Sequence, residues 1–406
     1  MVATWPIRGL LVQCLIFIPL LFSTTALAES LVEALNGYPS LSRFQSLLQD
    51  KPALAPLLSK GSPGSVVTFL VPNDAAFAAF RAANGGSDIS DLPNSELERI
   101  LEYHILSRNL PSAKLLNPPP QSLVVPTQLT GEEYNNRSAG DALQMVEGGG
   151  KQSSSGQVVV LNVGPQSLQK RQQEEIDVLS GLYKSVKMTL IDGMWDGGLF
   201  HMVDGLLTLP RVCTKTIESQ NLTALTRALV RTKIGPILDT LRNVTCIGPT
   251  DTAFEQADSP DKVAEPGDLA KALTFHTLTE PVYTNFLSDG QMFTTVSNDT
   301  IRVTVNDTGI YFNDAKLIRR NVITNNGVIQ VVDKVMSPLK QEESKPIPTP
   351  TTTTNTNPKL SPTGPGPASS SKAGASMLEN PFGGSTSAGL TAFLMTGIMS
   401  LAAWWM

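Results

Sequence analysis

Histidine and cysteine are scarce in this chain, with three of each among 406 residues. No His-Glu-x-x-His helix, Gly-x-Ser-x-Gly elbow, P-loop or dinucleotide fingerprint occurs, so the usual routes to metal, nucleophilic and nucleotide chemistry are missing and no cofactor is expected. Charge is thin as well. Charged residues make up 17% of the chain, the net charge is -5, and there is no basic run to neutralise phosphates, which argues against nucleic acid as a partner. A pair of carboxylates is the one catalytic arrangement that spacing alone does not reveal. An extracellular polysaccharide hydrolase therefore stands as the remote alternative to a chain that is not an enzyme.

Apolar runs of a length that bears on targeting lie at the two ends. Residues 1–28 read as a secretory signal: Arg8 supplies positive charge, Leu10 to Phe22 is almost wholly apolar, and Ala26-Leu27-Ala28 is a small-x-small cleavage site. A membrane anchor is the alternative, but the run is shorter than the roughly 20 residues a span needs. At the other end Leu390 to Met406 is apolar, and no Lys or Arg follows Lys372. A retained spanning helix usually leaves cations on its cytoplasmic side. A tail exchanged for glycolipid needs only small residues, a polar spacer and an apolar end. The reading is a GPI-attachment propeptide over 384–406 with attachment at Gly383, or alternatively at Gly374; a tail-spanning helix is the competing reading. Residues 341–383, rich in Pro, Ser and Thr, have too little apolar surface to offset chain entropy and read as a disordered stalk.

What lies between is duplicated. Val-Thr-Phe-Leu-Val-Pro-Asn-Asp-Ala-Ala-Phe at 67–77 returns as Val-Thr-Cys-Ile-Gly-Pro-Thr-Asp-Thr-Ala-Phe at 244–254. Tyr103-His104 matches Phe275-His276, and Gly198 to Asp204 matches Gly327 to Asp333, in the same order. The first copy is longer by about 43 residues between the last two landmarks. The expected division is a first domain over 29–211, with one insertion at about 129–185, and a second over 212–340. In each copy an apolar strand is halted by a proline, and Asn73 caps a short helix that carries Asp74 in its first turn. Asp251 repeats that position in the second copy. A helix capped by Asn94 places Leu97, Ile100, Leu101 and His104 on one face, and His276 repeats the spacing, so both histidines are expected to be buried and neutral. Asp204 and Asp333, each the one acid in an apolar strand, should accept hydrogen bonds. Residues 157–163 and 300–312 read as strands, the latter turning at Asn-Asp-Thr-Gly, and the mixed-charge stretch 169–175 as a short solvated helix leading to Ile176, Val178, Leu179 and Leu182.

An apolar strand with Pro-Asn-Asp-Ala-Ala-Phe, then Tyr-His, then Gly-Leu-Phe-His-Met-Val-Asp-Gly-Leu-Leu resembles the fasciclin-type adhesion domain, over roughly residues 30 to 340. The second copy departs at Cys246, Gly248, Phe275 and Gln330. The residues alone indicate a compact α+β domain. The resemblance implies two tandem fasciclin-like domains, each a β-sandwich wedge with flanking helices. It also implies adhesion through the Tyr103-His104 neighbourhood, with cell-surface, matrix or wall glycoproteins or glycans as partners and the membrane reached through a glycolipid anchor. A structural wall glycoprotein without a specific receptor is the runner-up.

Two cysteines survive removal of the signal, Cys213 and Cys246, and an oxidising compartment favours pairing them. The bridge would close a loop of about 34 residues; two buried free thiols are the alternative. Five N-glycosylation sequons occur, at Asn136, Asn221, Asn243, Asn298 and Asn306, with Asn243 the least accessible by pattern because it enters a strand.

Overall fold

The computed structural model describes residues 30–58, 67–116, 122–134, 156–162 and 175–337. Fourteen strands form two seven-stranded sheets among these residues. The first contains β1 (Val67–Pro72), β2 (Ile105–Leu106), β3 (Leu123–Pro126), β4 (Val158–Asn162), β5 (Glu175–Leu179), β6 (Ser185–Trp195) and β7 (Gly198–Val203), in the order β2-β1-β7-β6-β5-β4-β3. The second contains β8 (Val244–Pro249), β9 (Thr277–Leu278), β10 (Met292–Thr294), β11 (Thr300–Asn306), β12 (Gly309–Phe312), β13 (Ala315–Thr324) and β14 (Gly327–Val332). Its order, β9-β8-β14-β13-β12-β11-β10, is the first sheet repeated strand for strand.

The sequence repeat is therefore a repeat of topology and also of register. β1 runs parallel to β7 with Val67 opposite Gly198 and Pro72 opposite Val203; β8 runs parallel to β14 with Val244 opposite Gly327 and Pro249 opposite Val332. Every other pairing is antiparallel. The parallel pair needs glycine where its second strand begins. A Cβ on Gly198, whose φ is +149°, would lie 2.1 Å from the Val67 carbonyl oxygen, and one on Gly327 would lie 1.9 Å from that of Val244.

Central position explains composition. β1 lies between β2 and β7 and is buried along its whole length, so it has no solvent face and reads as a run that is apolar but for Thr68. Its alternate side chains serve two cores. Phe69 and Val71 join Phe44, Leu97, Leu101 and Phe200 beneath the helices, whereas Leu70 joins Tyr103, Val125, Leu161, Val178 and Met188. That second cluster draws on β1 and on β3 through β7, so the sheet curls about it into a wedge. The second domain repeats both clusters. A fifth cluster joins Val124, Val158, Val160 and Leu179 of the first domain to Tyr283, Ile323 and Val328 of the second.

Three sequence expectations are corrected. The added length of the first copy is not one block over 129–185, because β4 and β5 lie inside that range and correspond to β11 and β12. The extra residues fall instead in the connections on either side of β4. Ile176 and Val178 belong to strand β5, which opens at Glu175, while the rest of the helix read at 169–175 lies outside the described residues; both are fully buried, and their two-residue spacing suits a strand. Asn94 is the first residue of the Asn94–His104 helix, and the capping position falls on Pro93, which offers no side-chain bond. The turn at 306–309 is present as read, with Asn306 paired to Gly309.

Candidate functional site

The polar groups that recur in both copies cluster around the corner where β1 or β8 ends. Asn73 Oδ1 accepts from Ala76 N at 3.0 Å, and Thr250 Oγ1 accepts from Ala253 N at 3.1 Å, each capping its helix. Asp74 and Asp251 reach further. Asp74 accepts from Ser42 Oγ at 2.8 Å and Arg43 N at 2.9 Å, so it binds the first turn of a second helix, Ser42–Asp50. Asp251 does the same for the Thr223–Thr232 helix, accepting from Thr223 Oγ1 and from Ala224 N, the latter at 2.8 Å. Each carboxylate thus ties two helix N-termini together, where the backbone dipoles favour negative charge. Asp204 Oδ1 accepts from Lys187 N, and Asp333 Oδ1 from Lys316 N, both at 2.7 Å. These pairs fasten β7 to β6 and β14 to β13.

His104 and His276 are buried and equivalent. Nδ1 of His104 donates to Ile100 O at 2.8 Å, and Nε2 accepts from Leu207 N at 3.2 Å. For His276 the partners are Ala272 O at 2.7 Å and Met336 N at 2.9 Å. An acceptor role for Nε2 requires the neutral ring. Burial agrees, holding both imidazoles down at about 4 against the donation to Ile100 O or Ala272 O, which acts the other way. Tyr103 OH donates to Val158 O at 2.9 Å, bracing β4; Phe275, its counterpart, has no hydroxyl.

Sequence reasoning missed two recurrent devices. Strand β6 carries a bulge between Thr189 and Gly193, and β13 carries one between Arg319 and Val322. Asp192 and Asn321 sit there at φ 47° and 53°. A bulge strips N–H groups of ladder partners. His201 Nδ1 accepts from Ile191 N at 3.2 Å while Nε2 donates to Leu110 O at 2.9 Å. Gln330 Oε1 accepts from Asn321 N at 2.9 Å while Nε2 donates to Val282 O at 2.8 Å. The amide reproduces the donor and the acceptor of the imidazole, so the apparent loss at Gln330 conserves the bonding. Likewise Thr68 Oγ1 donates to Arg108 O and accepts from Leu110 N, and Thr245 Oγ1 donates to Glu280 O and accepts from Val282 N. The repeated Val-Thr pair in the two blocks was the signal available for it.

Among the described residues Ser112, Asp192 and His201 approach a catalytic constellation, but it is assembled in the wrong order. Ser112 Oγ donates to the Asp192 carboxylate, and both His201 ring nitrogens are occupied by backbone, leaving no base for the serine. Burial lowers the His201 pKa, so the ring stays neutral beside Asp192. Among the described residues no three His, Cys, Asp or Glu side chains converge as metal ligands.

Cys213 and Cys246 are buried 3.1 Å apart, Sγ to Sγ, as free thiols. The structure thus brings the expected partners into contact without bonding them, a disulfide being about 2.05 Å long. Of the sequons, Asn221, Asn298 and Asn306 are exposed. Asn306 Oδ1 accepts from Thr308 N and Thr308 Oγ1 of its own sequon. Asn243 is partly buried, and its Oδ1 is enclosed without a partner. Asn136, Gly374, Gly383, the signal and the stalk lie outside the described residues, and among the described residues no helix is long and apolar enough to cross a membrane.

Two copies of one α+β wedge, with their shared polar residues turned inward onto backbone, define a tandem scaffold domain. The fasciclin domain profile matches residues 39–162 and 220–338, and the chain belongs to that family. It is 26% identical to a fasciclin-like arabinogalactan protein of Arthroderma benhamiae over 80% of this chain and 70% of that protein. It is 25% identical to the fasciclin-like arabinogalactan protein elcF of Phaeosphaeria nodorum, over 78% and 91%. Human periostin matches at 28% over 35% of this chain and 18% of its own. A solved FAS1 domain pair from the insect cell adhesion molecule fasciclin I matches at 19% identity and a TM-score of 0.33, covering 75% of this chain and 97% of that one.

Proposed function

We propose that this protein is a cell-surface adhesion glycoprotein that makes cell–cell or cell–wall contacts through its two fasciclin domains, raised on the 341–383 stalk and held by glycolipid. The observation that carries the reading is the complete duplication of a wedge whose recurrent polar side chains are consumed internally. Such residues maintain shape, and recognition falls to the outer surface. Two domains on one chain allow weak contacts to add through effective concentration, so neither needs high affinity alone. The signal sequence, the exposed sequons and the small-residue tail support an exported, sugar-bearing, anchored form.

The test uses full-length protein enzymatically stripped of sugar and coated on beads. Retained binding to cells or wall material supports adhesion by the domains. Complete loss of binding moves the reading to a structural wall glycoprotein, which the arabinogalactan names of the fungal relatives favour. Release of the protein from intact cells by a phosphatidylinositol-specific phospholipase checks the anchor separately.

A further inference from the structure

Both domains carry a groove in the same place, between the helix after the first block and the Tyr-His or Phe-His helix, closed by the chain leaving the last strand. In the second domain it is small, about 180 Å³, lined by Phe254, Leu269, Leu273 and Val335, and has no Lys or Arg. In the first domain it opens to about 530 Å³, within the range that holds a small organic ligand. Its floor is apolar: Ala76, Ala79, Phe80 and Ala83 follow one face of the Asp74–Ala83 helix opposite Ile100 and Leu207.

One end is cationic. Arg99 and Arg211 line the groove beside Tyr134, which is buried. Arg99 pairs with Glu133 at 3.2 Å, yet its Nε is enclosed without a partner. No ion pair to Arg211 exists among the described residues. Glu96, the other acid of the lining, sits in the first turn of its helix, where the dipole stabilises it. The second domain braces this end: Asn325 Nδ2 donates to Glu133 O at 2.7 Å, and Asn325 N donates to Arg211 O at 2.8 Å. The second-domain groove has no equivalent of Glu133 or Arg211 in its lining.

We propose that the first-domain groove is a binding site for a small amphiphilic monocarboxylate, with its apolar tail along the alanine face and its carboxylate on Arg211 and Arg99. A planar guanidinium matches a carboxylate through two parallel bonds, and the existing Arg99–Glu133 pair shows that this end accommodates one. Of the two cations in this lining, Arg211 is the one without an ion pair among the described residues, and it fits a monoanion. The site is complete only in the tandem chain, because Asn325 of the second domain holds both walls.

The test is titration calorimetry of the full-length protein with dodecanoate below its micellar concentration, with dodecanol and dodecyltrimethylammonium as neutral and cationic controls. Dodecanoate is expected to bind one per chain and more tightly than either control. Arg211→Ala should weaken it about tenfold, the loss of one charge-assisted bond, and Ala79→Phe should abolish it by filling the floor. Ala264→Phe, in the second-domain groove, should leave it unchanged. Arg211 is exposed, so Arg211→Ala keeps the test open if Ala79→Phe unfolds. Absence of dodecanoate binding, dodecanol binding as tightly, or unchanged affinity in Arg211→Ala each overturns the assignment.

Discussion

His104 and His276 do the same work at matched positions, and both are held near 4 by burial, against about 6.5 in an unfolded chain. Between those values the unfolded chain takes up protons that the folded chain refuses. Stability is therefore full above about pH 6.5 and falls as pH drops toward 4, by about 3 kcal/mol for each ring at the lower limit. Urea unfolding from pH 4 to 7 should show this slope, and His104→Gln with His276→Gln should reduce it to the part that His201 contributes. An unchanged slope in the double variant would refute a role for either ring. The cysteine pair gives a second expectation at this scale. The hydrogen bond to Cys246 and then burial push the Cys213 thiol well up, so once folded it is a poor nucleophile. On the proposed secretory route, oxidation is therefore expected before burial, during folding. Thiol titration of secreted protein in denaturant should find neither Cys213 nor Cys246 free, and reduction should cost about 3 to 4 kcal/mol on the chain-entropy estimate. Two titrating thiols would leave the pair as the unbonded contact seen here.

Among elements, what could be read in advance followed from burial. β1 and β8 announce themselves as runs that are apolar but for Thr68 and Thr245 because both faces are covered, and the prolines that close them mark where the chain turns into a helix. The Tyr-His helix was legible from its three-and-four spacing. β4 was legible as the apolar run at 157–163, but β5 was obscured by the mixed-charge stretch before it, which read as a helix, and the long polar connections around β4 made both strands look like part of an insertion. The bulges were invisible for another reason. Nothing local in β6 or β13 signals a left-handed Asp192 or Asn321, and the side chain that satisfies the freed N–H groups comes from the neighbouring strand. The exchange of His201 for Gln330 predicts which substitutions the bulge tolerates. His201→Gln should cost well under the roughly 1 to 3 kcal/mol expected of His201→Leu, which leaves the Ile191 N–H and the Leu110 carbonyl without partners. Equal losses by thermal unfolding would show that ring packing, rather than hydrogen bonding, holds the position.

For the two-domain unit, the duplicated sequence foretold two α+β domains of one kind but not how they are joined. Apart from Val328, the joint is made from residues outside the repeated blocks. Asn325, in the turn between β13 and β14, donates to Glu133 O and to Arg211 O and accepts from Gln157 Nε2. Beside it Ile323 and Val328 pack on Val158 and Val160, with Tyr283 closing the cluster, all of them buried. An apolar contact supported by buried hydrogen bonds couples the stability of one domain to the other, so the wild-type pair should melt in a single calorimetric transition. Ile323→Ala removes a fully buried side chain at the centre of the joint, at a cost of about 2 to 5 kcal/mol. Because that loss falls on the coupling as well as on the second domain, the variant should melt in two steps, the second domain first. A single transition lowered in temperature but undivided would mean that the hydrogen bonds of Asn325 and Gln157 suffice to keep the domains unfolding together, and Asn325→Ala added to Ile323→Ala should then separate them.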